Sequence, residues 1–348
     1  MNYSLKVIPR NLPVFTWLLI LTIMTFLMVL IGGLTRLTDS GLSMVNWEPI
    51  MGSIPPLSKK SWEEVFNAYK NSPEFLIVNK SMTLNEFRYI FWWEWGHRFF
   101  ARCIGLVLVL PFIYFLFKKK LSKKFNINIF ILFSLGVFQA IVGWWMVKSG
   151  LTENPYVSPY RLAFHLTNAV IILSILCWLT FNAWSGLQIN FLPNNISENM
   201  IFFLIFLLFI TIVSGAFMAG TNAGQSFNTY PMMNDKFFPE NYFLEDSGFR
   251  NIFENTIAIN FNHRWLATIT FLAIILMAFY IKFSKKFKRN TMGPYLIIFF
   301  GFLQFFLGIF TLLTNVNIVF ASMHQINSVL LFASLLLTYY SIKKERDF

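Results

Sequence analysis

The sequence predicts an all-α integral membrane protein, with eight transmembrane helices arranged as two pseudo-symmetric four-helix bundles. Three observations carry this expectation. Of the 348 residues, 56% are hydrophobic and only 13% are charged, a balance far from that of a soluble globular domain. Apolar runs long enough to cross a ~30 Å hydrocarbon core recur along the chain. Its basic residues gather in alternate links between those runs.

The first span covers roughly 13–35. The segment before it, Met1 to Arg10, has the features of neither a cleavable signal nor an Arg- and Ser-rich transit peptide, so the first span acts as an uncleaved insertion signal. A long link, 36–90, follows. It carries Lys59, Lys60, Glu63 and Glu64 among Pro55, Pro56 and Pro73, and Trp62 to Lys70 reads as a short amphipathic helix lying over a pocket below. The second span, 91–117, opens on an aromatic belt of Phe91, Trp92, Trp93 and Trp95. Lys118, Lys119, Lys120, Lys123 and Lys124 crowd the link to the third span, 126–148, and the fourth covers 161–184. A short lysine-free link, 185–198, leads to the fifth span, 199–220, and a second long link, 221–255, to the sixth, 256–281. Lys282, Lys285, Lys286, Lys288 and Arg289 precede the seventh, 294–314, and the eighth, 320–342, ends on Lys343, Lys344 and Arg346.

The net charge of +12 would point to nucleic acid in a soluble chain, but its distribution points to membrane topology. With Lys6 and Arg10 at the start and basic residues at the end, both termini are cytoplasmic and the two long links lie outside. The Phe-, Ile-, Asn- and Lys-rich usage fits an AT-rich genome, hence a bacterial cell inner membrane or a mitochondrial inner membrane. Cys103 and Cys177 both fall inside spans, so no outer disulfide framework is encoded.

The chain repeats itself. Leu30 to Gly41 at the end of the first span matches Val213 to Gly224 at the end of the fifth, with Gly32 and Gly41 aligned to Gly215 and Gly224. Gly136, Gln139 and Gly143 match Gly301, Gln304 and Gly308; His97-Arg98 matches His263-Arg264; His165 and Asn168 match His324 and Asn327. Four motifs in one order define two halves, 1–190 and 191–348, related by an axis roughly along the membrane normal. The glycines of the third and seventh spans suit close approach of helix backbones or of a large planar ligand.

His97, His165, His263 and His324 are the whole histidine content, and each lies within about two turns of the start of an even-numbered span. An ionisable residue inside a bilayer is costly and points to function. Two parallel helices in each half present one imidazole at similar depth, near the outer face. That geometry suits a haem held edge-on with one histidine on each side of the iron. Tetrahedral zinc would bring four ligands together, whereas the repeat yields two separate pairs.

The halves differ where charge is concerned. Glu94 stands three residues before His97, on the same helix face, and its match is Asn260. Arg36 and Asp39 correspond to Ala219 and Asn222, and Arg161, one turn before His165, corresponds to Phe320. These differences assign the reacting group to the first pair and a permanent cofactor to the second, with Glu94 accepting protons released in an oxidation. Pairing of Glu94 with Arg98 or Arg102 at the membrane interface is the structural alternative. Arg98 and Arg264, each following a histidine, are candidates for haem propionates or for simple interfacial anchoring.

The run Gly32 to Ser43, Glu94-x-x-His97-Arg98, the run Gly215 to Gly224, Asn262-His263-Arg264 and Met323-His324-Gln325 together resemble haem A synthase, in order and over nearly the whole chain. Without outer-loop cysteine pairs, the chain resembles the proteobacterial and mitochondrial branch. The resemblance implies a membrane oxidoreductase that converts haem O to haem A for cytochrome oxidase, oxidising the C8 methyl group to a formyl group through successive hydroxylations. It implies His97 and His165 around the substrate haem, His263 and His324 as ligands of a haem b cofactor, Glu94 as the functional carboxylate, and Arg36, Arg98, Arg161 and Arg264 as propionate or pocket partners. It further implies haem O synthase and oxidase assembly factors as partners, and an electron acceptor that the oxidation requires. Nothing in the sequence decides whether the chain forms a homo-oligomer. A dihaem electron carrier would use the same histidines without needing Glu94. A transporter would leave the histidine register unexplained.

Overall fold

A computed structural model describes residues 6–7, 11–46, 51–245, 247–287 and 292–347. Arg10, Lys288 and Arg289 of the basic clusters lie outside the described residues. Among the described residues eleven α-helices follow in order: α1 Leu12–Leu37, α2 Lys59–Lys70, α3 Pro73–Ile77, α4 Leu84–Phe117, α5 Lys123–Lys148, α6 Pro159–Ser185, α7 Ile196–Gly220, α8 Asn251–Glu254, α9 Thr256–Phe283, α10 Gly293–Leu313 and α11 Ile318–Asp347. Eight of them, α1, α4, α5, α6, α7, α9, α10 and α11, are long and apolar enough to cross a membrane. The eight expected spans are all present. Two short strands, β1 Lys6–Val7 and β2 Leu187–Gln188, pair antiparallel and were not anticipated.

The largest difference is at the start of α4, which begins at Leu84 rather than 91. Its first two turns mix polar and apolar residues and leave no continuous apolar run, but Thr83 caps them: its hydroxyl accepts from the Glu86 amide while the Glu86 carboxylate accepts from the Thr83 N–H. His97 therefore sits between three and four turns into its helix. The amphipathic helix expected at Trp62–Lys70 forms as α2, capped by Ser58, and α3 follows with Ser72 as its cap and Pro73 in its first turn. Trp62, Phe66 and Tyr69 of α2 pack against Phe87, Ile90 and Phe91, so the outer link is fastened to the extension of α4.

The chain divides into two compact units, Met24–Ile172 and Met1–Ile23 with Leu173–Phe348. Both α1 and α6 contribute to each. In the second unit α10 packs on α9 and α11, while α7 packs on α9 and α11, which closes a four-helix ring. Hydroxyl pairs link neighbours there: Thr211 to Thr270 at 2.8 Å and Thr22 to Thr180 at 3.0 Å. Lys343, read from sequence as part of a basic end, is fully buried. It lies 3.0 Å from Glu198, which also pairs with Arg346 at 2.6 Å. Large apolar side chains such as Leu106, Leu110, Phe203, Leu276 and Phe299 point outward, as lipid-facing positions require.

The turns that end α1 and α7 share one backbone device. Asp39 and Asn222, matched in the repeat, both take left-handed φ values, 48° and 55°. Asp and Asn tolerate that region better than other side-chain-bearing residues. The Asp-to-Asn difference thus preserves the turn and removes a charge, and Asp39 pairs with Arg36 at 2.7 Å.

Candidate haem sites

Each histidine packs against a glycine of the helix before it. A Cβ on Gly32 would lie 3.1 Å from Cε1 of His97, and one on Gly143 would lie 3.0 Å from Cε1 of His165. On Gly215 it would lie 3.4 Å from Cε1 of His263, and on Gly308 2.9 Å from Cε1 of His324. All four glycines recur in the sequence repeat. Each leaves room for the Cε1 edge of an imidazole to approach the helix backbone. Of the remaining glycines in α5 and α10, Gly301 makes room for Ile275, whereas Gly136 meets no side chain within 4 Å.

Each histidine has a second one near it. His97 and His165 lie close enough for the charge of one to act on the other, and so do His263 and His324. Sequence reasoning noted Gln139, Gln304, Asn168 and Asn327 as repeated but gave them no role. In the structure Asn168 donates to Gln139 Oε1 at 2.6 Å and Gln139 Nε2 lies 3.2 Å from His165 Nε2. Asn327 donates to Gln304 Oε1 at 2.8 Å, and Gln304 Nε2 lies 3.2 Å from His324 Nδ1. Each asparagine also holds a backbone carbonyl one turn before the glutamine, Leu135 or Phe300. The amide pair orients the imidazole, and its repetition was the signal that could have identified it.

Glu94 is buried, and three donors converge on it. Arg98 contacts Oε1, while Ser43 Oγ and the Met44 N–H donate to Oε2 at 2.7 and 2.8 Å. Its match Asn260 is fully buried and donates to the Ala223 carbonyl at 2.6 Å. In both halves the side chain three residues before the histidine pins the glycine-rich run after the preceding helix, once with a charge and once without. Arg98 also donates to the Met44 carbonyl. Arg264 donates to the carbonyls of Thr229 and Phe227 at 2.8 and 2.7 Å. Arg161 donates to the Trp145 carbonyl at 2.7 Å and stacks over the Trp145 ring. The structure thus gives all four candidate arginines protein partners.

Above Glu94, the outer link buries a second carboxylate. Glu74 accepts from the Tyr69 hydroxyl at 2.9 Å, and Asn79 donates to the same hydroxyl. Burial pushes Glu74 up from 4.5 to about 7, with the charges of Glu94 and Asp39 adding to the rise. Sequence reasoning missed it, because nothing in a proline-rich link marks one glutamate as buried.

These residues fit a haem. Each of the four histidines is half-buried, with one ring edge against a neighbouring helix and part of the ring left accessible. Among the described residues no three His, Cys, Asp or Glu side chains converge as a metal-binding group. Two imidazoles per site suit a porphyrin, which brings its own in-plane nitrogens, and fall short of a tetrahedral metal site. Cys103 and Cys177 are free thiols within α4 and α6, away from this chemistry in sequence and type.

The model of the family described as "Cytochrome oxidase assembly protein" matches residues 15–336. The chain belongs to the haem A synthase family of cytochrome oxidase assembly proteins. It is 38% identical to "Heme A synthase" of Nitrosomonas eutropha over 95% of this chain and 94% of that one. It is 39% identical to "Heme A synthase" of Nitrosospira multiformis over 96% and 94%, and 39% identical to that of Wolbachia pipientis wMel over 96% and 93%. The relatives are matched over nearly their whole length, so the family relation covers both histidine pairs and the long outer links.

Proposed function

We propose that this chain converts haem O to haem A by oxidising the C8 methyl group of the substrate to a formyl group, for cytochrome oxidase assembly. His97 and His165, in the half 1–190, hold the substrate haem. His263 and His324, in the half 191–348, hold a haem b cofactor. When bound, haem b supplies one-electron transfer. The observation that carries the reading is the imidazole against glycine, found four times, with a buried carboxylate beside the first pair and a neutral amide at the matching place in the second.

The chain's own residues contribute position and proton control. Gln139 and Asn168 orient His165, and Gln304 with Asn327 orients His324. Glu94 takes up protons at Oε1 or Oε2 as the methyl group is oxidised; protonation weakens its hold on Arg98, which then turns to a substrate propionate. A guanidinium has enough donors to serve a protein carbonyl and a carboxylate together, and Arg36, Arg161 and Arg264 act in the same way. The chain lies in a bacterial or mitochondrial inner membrane with both termini cytoplasmic. It receives haem O from the enzyme that makes it, works with oxidase assembly factors and passes electrons to an acceptor.

The test is haem analysis of protein purified with and without a haem O source. The expected result is haem b alone in the first case, joined by haem O or haem A in the second. Two equivalents of haem b in both cases would mean an electron carrier, and no haem would refute both.

A further inference from the structure

Ser214 and Ile31 hold matching places, each directly before the glycine that cradles a histidine, Gly215 or Gly32. Their surroundings differ in one decisive respect. Ser214 Oγ lies 2.7 Å from His263 Nδ1 and donates its own proton to the Thr211 carbonyl at 2.8 Å. With its proton committed to that carbonyl, the hydroxyl can only accept from the imidazole. His263 must then carry its proton on Nδ1, which leaves the Nε2 lone pair available for iron. Ile31 has no such group, and His97 Nδ1 is buried without a partner.

We propose that Ser214 is the positioning residue that makes the second site a retentive one, and that Ile31 in its place leaves His97 a weaker ligand from which a substrate can leave. A partner on the far ring nitrogen fixes the tautomer and the ring orientation and raises ligand basicity, and loss of such partners typically costs about 10–100-fold in metal affinity. A resident cofactor needs that affinity. A substrate that must depart as product is better served without it. This rests on the assignment of haem b to His263 and His324.

The experiment compares Ser214→Ala, Ser214→Thr, Ile31→Ser, His263→Ala and His97→Ala in the full-length protein. The readouts are haem per chain, haem transfer to apomyoglobin, and the midpoint potential of the bound haem. Ser214→Ala should release haem about 10-fold faster or more and raise the potential, because a less basic imidazole stabilises the ferric state less. Ser214→Thr should restore both. Ile31→Ser should let the first site retain haem through purification, raising haem per chain. Unchanged release and potential in Ser214→Ala, with haem lost in His263→Ala, would overturn the role of Ser214 alone. Haem that survives His263→Ala and disappears in His97→Ala would overturn the site assignment beneath it. If Ser214→Ala fails to fold, Ile31→Ser decides, and no gain in retention there counts against the proposal.

Discussion

The glycine cradles allow an internal comparison within one haem site. His263 lies against Gly215 and His324 against Gly308, and both are assigned to the same haem b. Alanine at Gly308 would place its Cβ 2.9 Å from the His324 ring, while alanine at Gly215 would stand 3.4 Å from His263. Carbon atoms pack best at about 3.5–4.0 Å, so the first substitution forces the ring aside by roughly half an ångström and the second by almost nothing. Overpacking costs about 1–3 kcal/mol, and replacing glycine by alanine inside a helix returns about 0.5–1 kcal/mol. Gly308→Ala should therefore destabilise the haem-loaded protein by up to about 2.5 kcal/mol, whereas Gly215→Ala should be neutral or slightly stabilising. Thermal unfolding in detergent, followed at the haem absorbance band, with haem per chain measured alongside, gives both numbers. Equal losses at the two positions, or a larger loss at Gly215, would refute the view that the glycines exist to seat the imidazoles.

Glu94→Gln keeps the size of the side chain and removes the charge. It should lower turnover by about 100-fold or more with haem b retained, and full turnover would remove Glu94 from the chemistry. Glu74 gives the outer link a pH dependence. Its folded value, about 7, lies above the ordinary 4.5, so its stabilising contribution is complete below pH 4.5 and is lost as pH rises through about 7. Hydrogen exchange of residues 59–77, corrected for intrinsic rate, should quicken from pH 6 to pH 8, and Glu74→Gln should abolish the change. Lys343→Met takes from fully buried Glu198 its fully buried cation and leaves the partly exposed Arg346 as the cation paired with it. The cost should be about 3–5 kcal/mol by thermal unfolding, with part recovered when Glu198→Gln is added.

The spans, the repeat and the four histidines were legible because each depends on residue type and spacing alone. A bilayer demands long apolar helices, and a histidine within one is rare enough to stand out. The start of α4 was not legible, because its first turns mix polar and apolar residues without making a membrane-length run, and owe their helix to the Thr83–Glu86 cap and to packing of Phe87 and Ile90 under Trp62, Phe66 and Tyr69. The burial of Lys343 was also hidden. A lysine in a basic tail reads as solvated, and only the position of Glu198 at the start of α7 makes it an internal partner. Gln139, Gln304, Asn168 and Asn327 were visible as repeats, yet their role needs the distance between helices, which no single helix encodes.

The matched positions of the sequence repeat differ in one direction. Where the first has Glu94 with Arg98, the second has Asn260 and an Arg264 turned to backbone carbonyls. Where the first has Asp39 with Arg36, the second keeps the same left-handed turn with Asn222. Where the second has Ser214 bonded to His263, the first has Ile31 and a histidine nitrogen without a partner. On the proposed reading, the charge of Glu94 lies where protons move, and the Ser214 hydrogen bond lies where a group stays. A symmetric electron carrier has no use for either bias. A bundle that turns over one haem with the help of another needs both, and in these positions the chain spends its few intramembrane polar groups accordingly.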